Sequence, residues 1–290
     1  MSAPSTTDRL SALLMRFRVR VDLFHTGPLC GLRKFDCSLG KGFLHVLRRG
    51  RMEVMHYTVP GVPEKLVLDE PTLLFYPRPL THHFHNPPQE GSDFTCAALE
   101  FEGGAGNPLA CSLPPLIRLR LADVEGLDPA LALLFAETDR VRCGQHLLAD
   151  RLFEVVLIQL LRWLLDHPEE ACIKPGLITG LADPRIARAM VAVHEAPGDA
   201  WTLERLAACA GMSRTNLATV FKQVVGQTPA DYVTSYRIAL AQVGLREGRP
   251  IKLLADQLGY ANPPALSRAF AAKVGMAPRE WLKGNTFPAL

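Results

Sequence analysis

Histidines and cysteines are the side chains here whose types alone suggest chemistry. His45, His56, His82, His83 and His85, five of the nine histidines, fall among short apolar segments in the first hundred residues, and none lies beyond His194. An imidazole in such a place can ligate a metal, carry a proton or sit hydrogen-bonded in a core. Cys30, in GPLCG, and Cys96, in DFTCAALEF, flank the same segments. Closing strands into a barrel would bring these two thiols together, so oxidation stands beside inert burial as a reading. The seven cysteines are odd in number and contain no CxxC, which suggests reduced thiols and a cytoplasmic location.

The elements that must position these groups change character along the chain. VRVDLF, FLHVLRRG, RMEVMHYTV, KLVLDE, TLLFYP and FTCAALEFE, separated by SLGKG, PGVPE and NPPQEG, predict short strands of a sandwich or barrel. After Leu113 the pattern turns helical. LFEVVLIQLLRWLL is interrupted by Glu154, Gln159 and Arg162, so it predicts an amphipathic helix and no membrane span. Leu148, Leu152, Val155, Val156 and Trp163 lie near one side of that helix, as either a homodimer seam or a face against the chain's own core. The first twenty residues carry no long apolar run or cleavage pattern, so no secretory signal is expected. ACIKPGLITGLADP has the composition of a linker and sets a boundary near Gly180, giving domains 1–180 and 181–290.

The second domain repeats itself once. SRTNLATVFKQVVGQTPADYV from Ser213 lies over NPPALSRAFAAKVGMAPREWL from Asn262, matching Leu217 with Leu266, Phe221 with Phe270, Gly226 with Gly275, Pro229 with Pro278 and Tyr232 with Trp281. Upstream, Ala207 and Gly211 match Ala255 and Gly259. A small residue four places before a glycine lets one helix end in the left-handed conformation and the next cross it closely, which makes each copy a helix-turn-helix. Ser213 and Asn262 are N-cap types, Thr228 opens the connecting helix, and Asp183 followed by Pro184 opens another. Leu217, Phe221 and Val224, then Leu266, Phe270 and Val274, form the expected buried stripes. Two copies are too few for a solenoid. From Asp183 to Leu290 there are 13 Lys and Arg against 8 Asp and Glu, whereas the preceding residues carry 19 against 21. The basic excess sits in the doubled half, as contact with a polyanion requires.

From Asp183 to Gly284 this half resembles the DNA-binding domain of the AraC/XylS family of bacterial transcription regulators, through LERLAACAGMSRTNLATVFKQVVGQTPADYV, the connecting helix with Arg237, IKLLADQLGYANPPALSRAF and KVGMAPREWLKG. The resemblance implies that each second helix enters a major groove of double-stranded DNA and that RNA polymerase is recruited, as for an activator. It places Thr215, Ala218, Thr219 and Arg268 at base-reading positions, with Arg268 suited to grip guanine bidentately and Ser267 a further DNA-binding residue beside it. Arg214, Lys222 and Lys273 are then phosphate contacts. Asn262-Pro263-Pro264-Ala265 departs from the family, which usually has polar or aromatic residues there. Base reading is expected to be sparse, with more left to DNA shape.

PTLLFYPRPLTHHFHN resembles the second cupin motif at Pro77, His82 and Asn86, with Pro71 and Pro79 in place of glycines. Over Arg20 to about Leu119 the chain is similar to the cupin-type sensor domains of some AraC-like regulators. That resemblance implies a small-molecule effector or an oxidant, read through His45, His82, Cys30 and Cys96. A metal reading would gather His45, His82 and His85, but a metal cupin needs a fuller set, so neither metal nor cofactor is expected. The expected fold is α+β, a cupin-like β-barrel followed by helices and an all-α domain with two helix-turn-helix motifs. The expected function is regulation, not enzymatic; the alternative is a metal-dependent cupin enzyme with a helical appendage.

Overall fold

The computed structural model describes residues 7–29, 31–57, 59–86 and 92–284. In chain order the helix α1 (Ser11–Arg16) precedes eight strands, β1 (Val19–Leu29), β2 (Gly31–Phe35), β3 (Gly42–Arg49), β4 (Met52–His56), β5 (Lys65–Leu68), β6 (Thr72–Tyr76), β7 (His82–Asn86) and β8 (Ser92–Phe101). Then come α2 (Pro108–Ser112), β9 (Ile117–Arg120), α3 (Leu127–Thr138) and α4 (Gln145–Asp166). The remainder is helical: α5 (Leu177–Ala182), α6 (Pro184–Glu195), α7 (Leu203–Ala210), α8 (Arg214–Val225), α9 (Pro229–Arg246), α10 (Ile251–Gln257), α11 (Pro263–Val274) and α12 (Pro278–Gly284).

Two compact units result: residues 19–105 with 113–173, and residues 1–18 with 106–112 and 174–290. The strand unit holds two antiparallel sheets, ordered β1-β8-β3-β6-β9 and β2-β7-β4-β5, instead of one closed barrel. The alternation of each strand sends Phe43, Leu47, Leu74, Tyr76, Phe94, Cys96 and Ala98 of the first sheet and Phe35, Met52, Val54 and Phe84 of the second into one core. Strands β6 and β8 are buried nearly throughout, as central strands covered on both faces must be. Three strands escaped the sequence pattern. β2 buries only Phe35 and exposes Leu32, Arg33 and Lys34, β7 turns His82 inward beside Phe84 and His85 outward, and β9 is four residues long with arginines on its open face.

Helix α4 divides its apolar residues between the two readings. Ala149, Phe153, Val156, Leu157, Leu160, Leu161, Trp163 and Leu164 are buried, and the Trp163 indole donates to the Asp123 carbonyl at 2.9 Å. Val156 and Trp163 therefore serve the unit's own core, while Leu147, Leu148 and Val155 stay exposed.

In the helical unit the caps form where short polar side chains precede apolar runs. Asp183 accepts from the amides of Arg185 and Ile186 with Pro184 at the first helical position, and Thr202, Ser213, Thr228 and Asn262 each accept from an amide three residues on. The pair Pro263-Pro264 does not break α11, since the first turn has no partner for those N–H groups in any case.

Candidate nucleic-acid interface

Each copy of the repeat folds as two helices around a left-handed glycine. Gly211 (φ +67°) ends α7 and Gly259 (φ +72°) lies just beyond α10, each releasing the chain into its turn. Leu217, Phe221 and Val225 bury one stripe of α8, and Leu266 and Phe270 bury that of α11. Val225 takes the place expected for Val224, because 217, 221 and 225 repeat every four residues down one face. Val224 sits at the rim, where its carbonyl accepts from the Gly176 amide and the Thr179 hydroxyl. Phe270 meets Trp281 edge-on at 5.7 Å, and Phe221 meets Tyr232 at 5.6 Å, so the matched aromatics do equivalent packing in the two copies.

What these stripes leave outside is the candidate surface. Arg214, Thr215, Thr219 and Lys222 on α8 are exposed and Ala218 is half-buried; on α11, Arg268 and Lys273 are exposed and Ser267 is half-buried. The side chains of Lys222 and Arg268 make no hydrogen bond or ion pair among the described residues. Arg214 pairs with Glu204 at 2.8 Å and Lys273 with Asp231 at 3.4 Å. Both carboxyls are held below the usual range, Glu204 chiefly by its bond from Arg214, Asp231 by the Thr228 hydroxyl and then Lys273. Such exposed pairs are weak and screened by salt. Thr219 donates to the Thr215 carbonyl at 3.0 Å and Ser267 to the Pro263 carbonyl at 3.0 Å. Each hydroxyl spends its proton on its own helix and keeps lone pairs to accept from a base amine. An open groove of about 510 Å³ runs along Ala218, Thr219, Lys222 and Gln223 to Thr228 and Pro229 at the start of α9. There an unpaired ammonium and the positive end of an 18-residue helix face the same space.

The strand unit treats its chemistry oppositely. His45 and His82 are buried, with their Nε2 atoms 3.0 Å apart. His82 Nδ1 lies 2.8 Å from the Leu80 carbonyl, which can only accept, so that nitrogen carries the proton and His45 must donate to His82 Nε2. The same logic makes His56 donate from Nδ1 to the Pro63 carbonyl at 2.7 Å and accept from the Tyr76 hydroxyl at 2.9 Å. Rings of Phe35, Phe43, Phe84 and Tyr76 surround the pair. Burial pushes His82 down to about 3 and His45 well below its ordinary value, so both imidazoles are neutral at pH 7.

His85 corrects the metal grouping. It alternates with His82 along β7 and faces outward opposite Glu53 and Leu32, because residues three apart on a strand point to opposite faces. No three His, Cys, Asp or Glu among the described residues are placed to hold an ion. Cys96 is sealed in the core with its thiol pushed up by burial, which removes the thiolate an oxidant attacks. Cys30 lies outside the described residues. Sequence reasoning missed His25. A bulge between Leu23 and His25 flips the phase of β1, setting His25 opposite Cys96, itself opposite His45, with its Nε2 buried and unpartnered. Only the bulge, invisible in the pattern VRVDLFH, tells it apart from a surface histidine.

Residues 8–166 match the Cupin family and residues 206–284 a helix-turn-helix domain. The chain is also 37% identical over 175 residues, 59% of its length and 57% of the relative's, to a Streptomyces antibioticus protein described as an AraC-like transcription regulator. The chain belongs to the Cupin family, whose match covers more than half of it, with a helix-turn-helix domain behind. Another relative of this cupin chain is the HTH-type transcriptional regulator AlkR of Acinetobacter baylyi, 31% identical over 61% of this chain and 58% of that one. The match spans somewhat less than three fifths of each of these relatives. Among solved structures, ToxT from Vibrio cholerae superposes over 94% of this chain and all of its own, with a TM-score of 0.41 and 14% identity.

Proposed function

We propose that this AraC-like protein regulates transcription by binding double-stranded DNA with α8 and α11 in successive major grooves of one face. The observation that carries this reading is the pair of independently capped helices, each burying one stripe and leaving polar and cationic side chains outward. Arg268 reads guanine, Thr215, Thr219 and Ser267 accept from bases, and Ala218 permits close approach. Lys222, Arg214 and Lys273 hold phosphates, the last two by exchanging their carboxylate partners. With so few donors on α11 behind Pro263 and Pro264, part of the preference comes from DNA deformability.

The cupin unit takes the effector, and the exposed Leu148 and Val155 of α4, with half-buried Leu152 between them, form a homodimer seam. RNA polymerase is the partner when the protein activates, and the cytoplasm is where all three meet. Among the described residues no helix is long and apolar enough to cross a membrane. The enzymatic alternative asks His85 to join His45 and His82, from the wrong face of β7. Selecting bound duplexes from a random pool with the full-length protein, then titrating the winners across salt, tests the reading. A two-part sequence whose affinity falls steeply with salt supports it, and an unenriched pool refutes it.

A further inference from the structure

The two helix-turn-helix copies are joined by more than α9. Arg237, in the middle of that helix, donates from Nε to the Pro197 carbonyl and from Nη2 to the Asp199 carbonyl, each at 2.7 Å. Pro197 and Asp199 belong to the turn that leads from α6 into α7, the first helix of copy one. The same guanidinium lies 5.7 Å from the ring of Tyr260, which follows Gly259 in the turn of copy two. These turns also touch backbone to backbone. A β-carbon on Gly198 would fall 2.5 Å from the Gln257 carbonyl oxygen, and one on Gly259 would fall 2.1 Å from the Gly198 oxygen and 3.1 Å from Arg237 Nη2. Only glycines permit this approach, and only a planar fork of N–H groups can satisfy two carbonyls while lying against a ring.

The first turn is itself stiff. Trp201 donates to the Ala196 carbonyl at 2.8 Å, and Arg205 pairs with Asp199 at 2.6 Å while lying 4.2 Å over the Trp201 ring. Three segments that are separate in sequence, the turn 196–201, the connecting helix and the turn 257–260, thus converge on one half-buried guanidinium. A helix alone fixes the distance between its ends but leaves each packed partner free to rock about it. The convergence removes that rocking. For a protein whose two readers must enter successive grooves, rotational error matters, since one base pair turns the duplex by about a tenth of a full rotation.

We infer that Arg237, working through Gly198 and Gly259, is a positioning residue that sets the rotational phase between α8 and α11 and so fixes the half-site spacing the protein accepts. The inference rests on the two-groove reading above. Full-length protein and the variants Arg237→Ala, Arg237→Lys and Gly198→Ala are titrated against the selected two-part duplex, against the same duplex with one base pair inserted or deleted between its parts, and against a duplex carrying one part only. The unaltered protein should discriminate against either spacing change by about tenfold or more. Arg237→Ala and Gly198→Ala should accept all three spacings within about threefold while binding the single-part duplex unchanged. Arg237→Lys, able to reach one carbonyl at a time, should fall between. Circular dichroism melts identify any variant that has simply unfolded, and Gly198→Ala, which leaves Arg237 in place, then carries the test. A two-part site with variants that keep full spacing discrimination overturns the clamp and leaves the two-groove reading standing. Failure to select any two-part site overturns that reading instead.

Discussion

The strand unit buries its polar chemistry and the helical unit displays it. His45, His56 and His82 are locked among aromatic rings in fixed tautomers, whereas Arg268 and Lys222 are exposed with no hydrogen-bond or ion-pair partner among the described residues. The difference teaches which groups meet another molecule. A buried neutral imidazole that has donated its proton to a carbonyl contributes to one unit's stability, and an exposed cation on a helix that buries only one stripe contributes to none.

Acid should separate the units most. A histidine whose folded pKa is depressed stays neutral in the fold but protonates when unfolded, so its contribution is complete above about pH 6.5 and is lost as pH falls toward the folded value. His82, at about 3, and His45, lower than usual for the same reason of burial, both act on the strand unit; His194, at about 3, acts on the helical one. Between pH 7 and 5 His82 and His194 should each cost about 2 kcal/mol, and His45 adds to the loss of the strand unit in the same direction, so the strand unit should melt at the higher pH. Differential scanning calorimetry across that range checks it, and equal losses in the two units would break the comparison.

His82→Ala should destabilise the strand unit by about 3 kcal/mol, since it opens a cavity between Phe35 and Tyr76 and strands the Nε2 proton of His45. Its DNA affinity should be unchanged at temperatures where the unit is folded. Arg268→Ala should do the reverse, with no change in melting and about 1–3 kcal/mol lost in preference at one base position. Lys222→Ala should be the mildest, weakening all duplexes alike and lowering the salt slope by about one.

How far these contrasts were legible depended on period. The caps at Ser213, Thr228 and Asn262 and the stripes of α8 and α11 followed from short polar residues before apolar ones spaced by three and four. Val224 and Val225 were confused because adjacent valines differ by only a fraction of a turn. In the strands, period two cannot survive a bulge, so His25 was passed over, and GLRKF in β2 shows too few apolar residues to announce itself. Arg237 was visible only as a family mark. Its task depends on carbonyls 40 and 38 residues away, which no local pattern encodes.

Hydroxyl-radical footprinting of the full-length protein on its selected duplex tests the central claim most directly. Two protected patches on one face of the DNA, about 10 base pairs apart, are expected, with Arg268→Ala changing only the patch beneath α11. A single protected patch, or two on opposite faces, would contradict it.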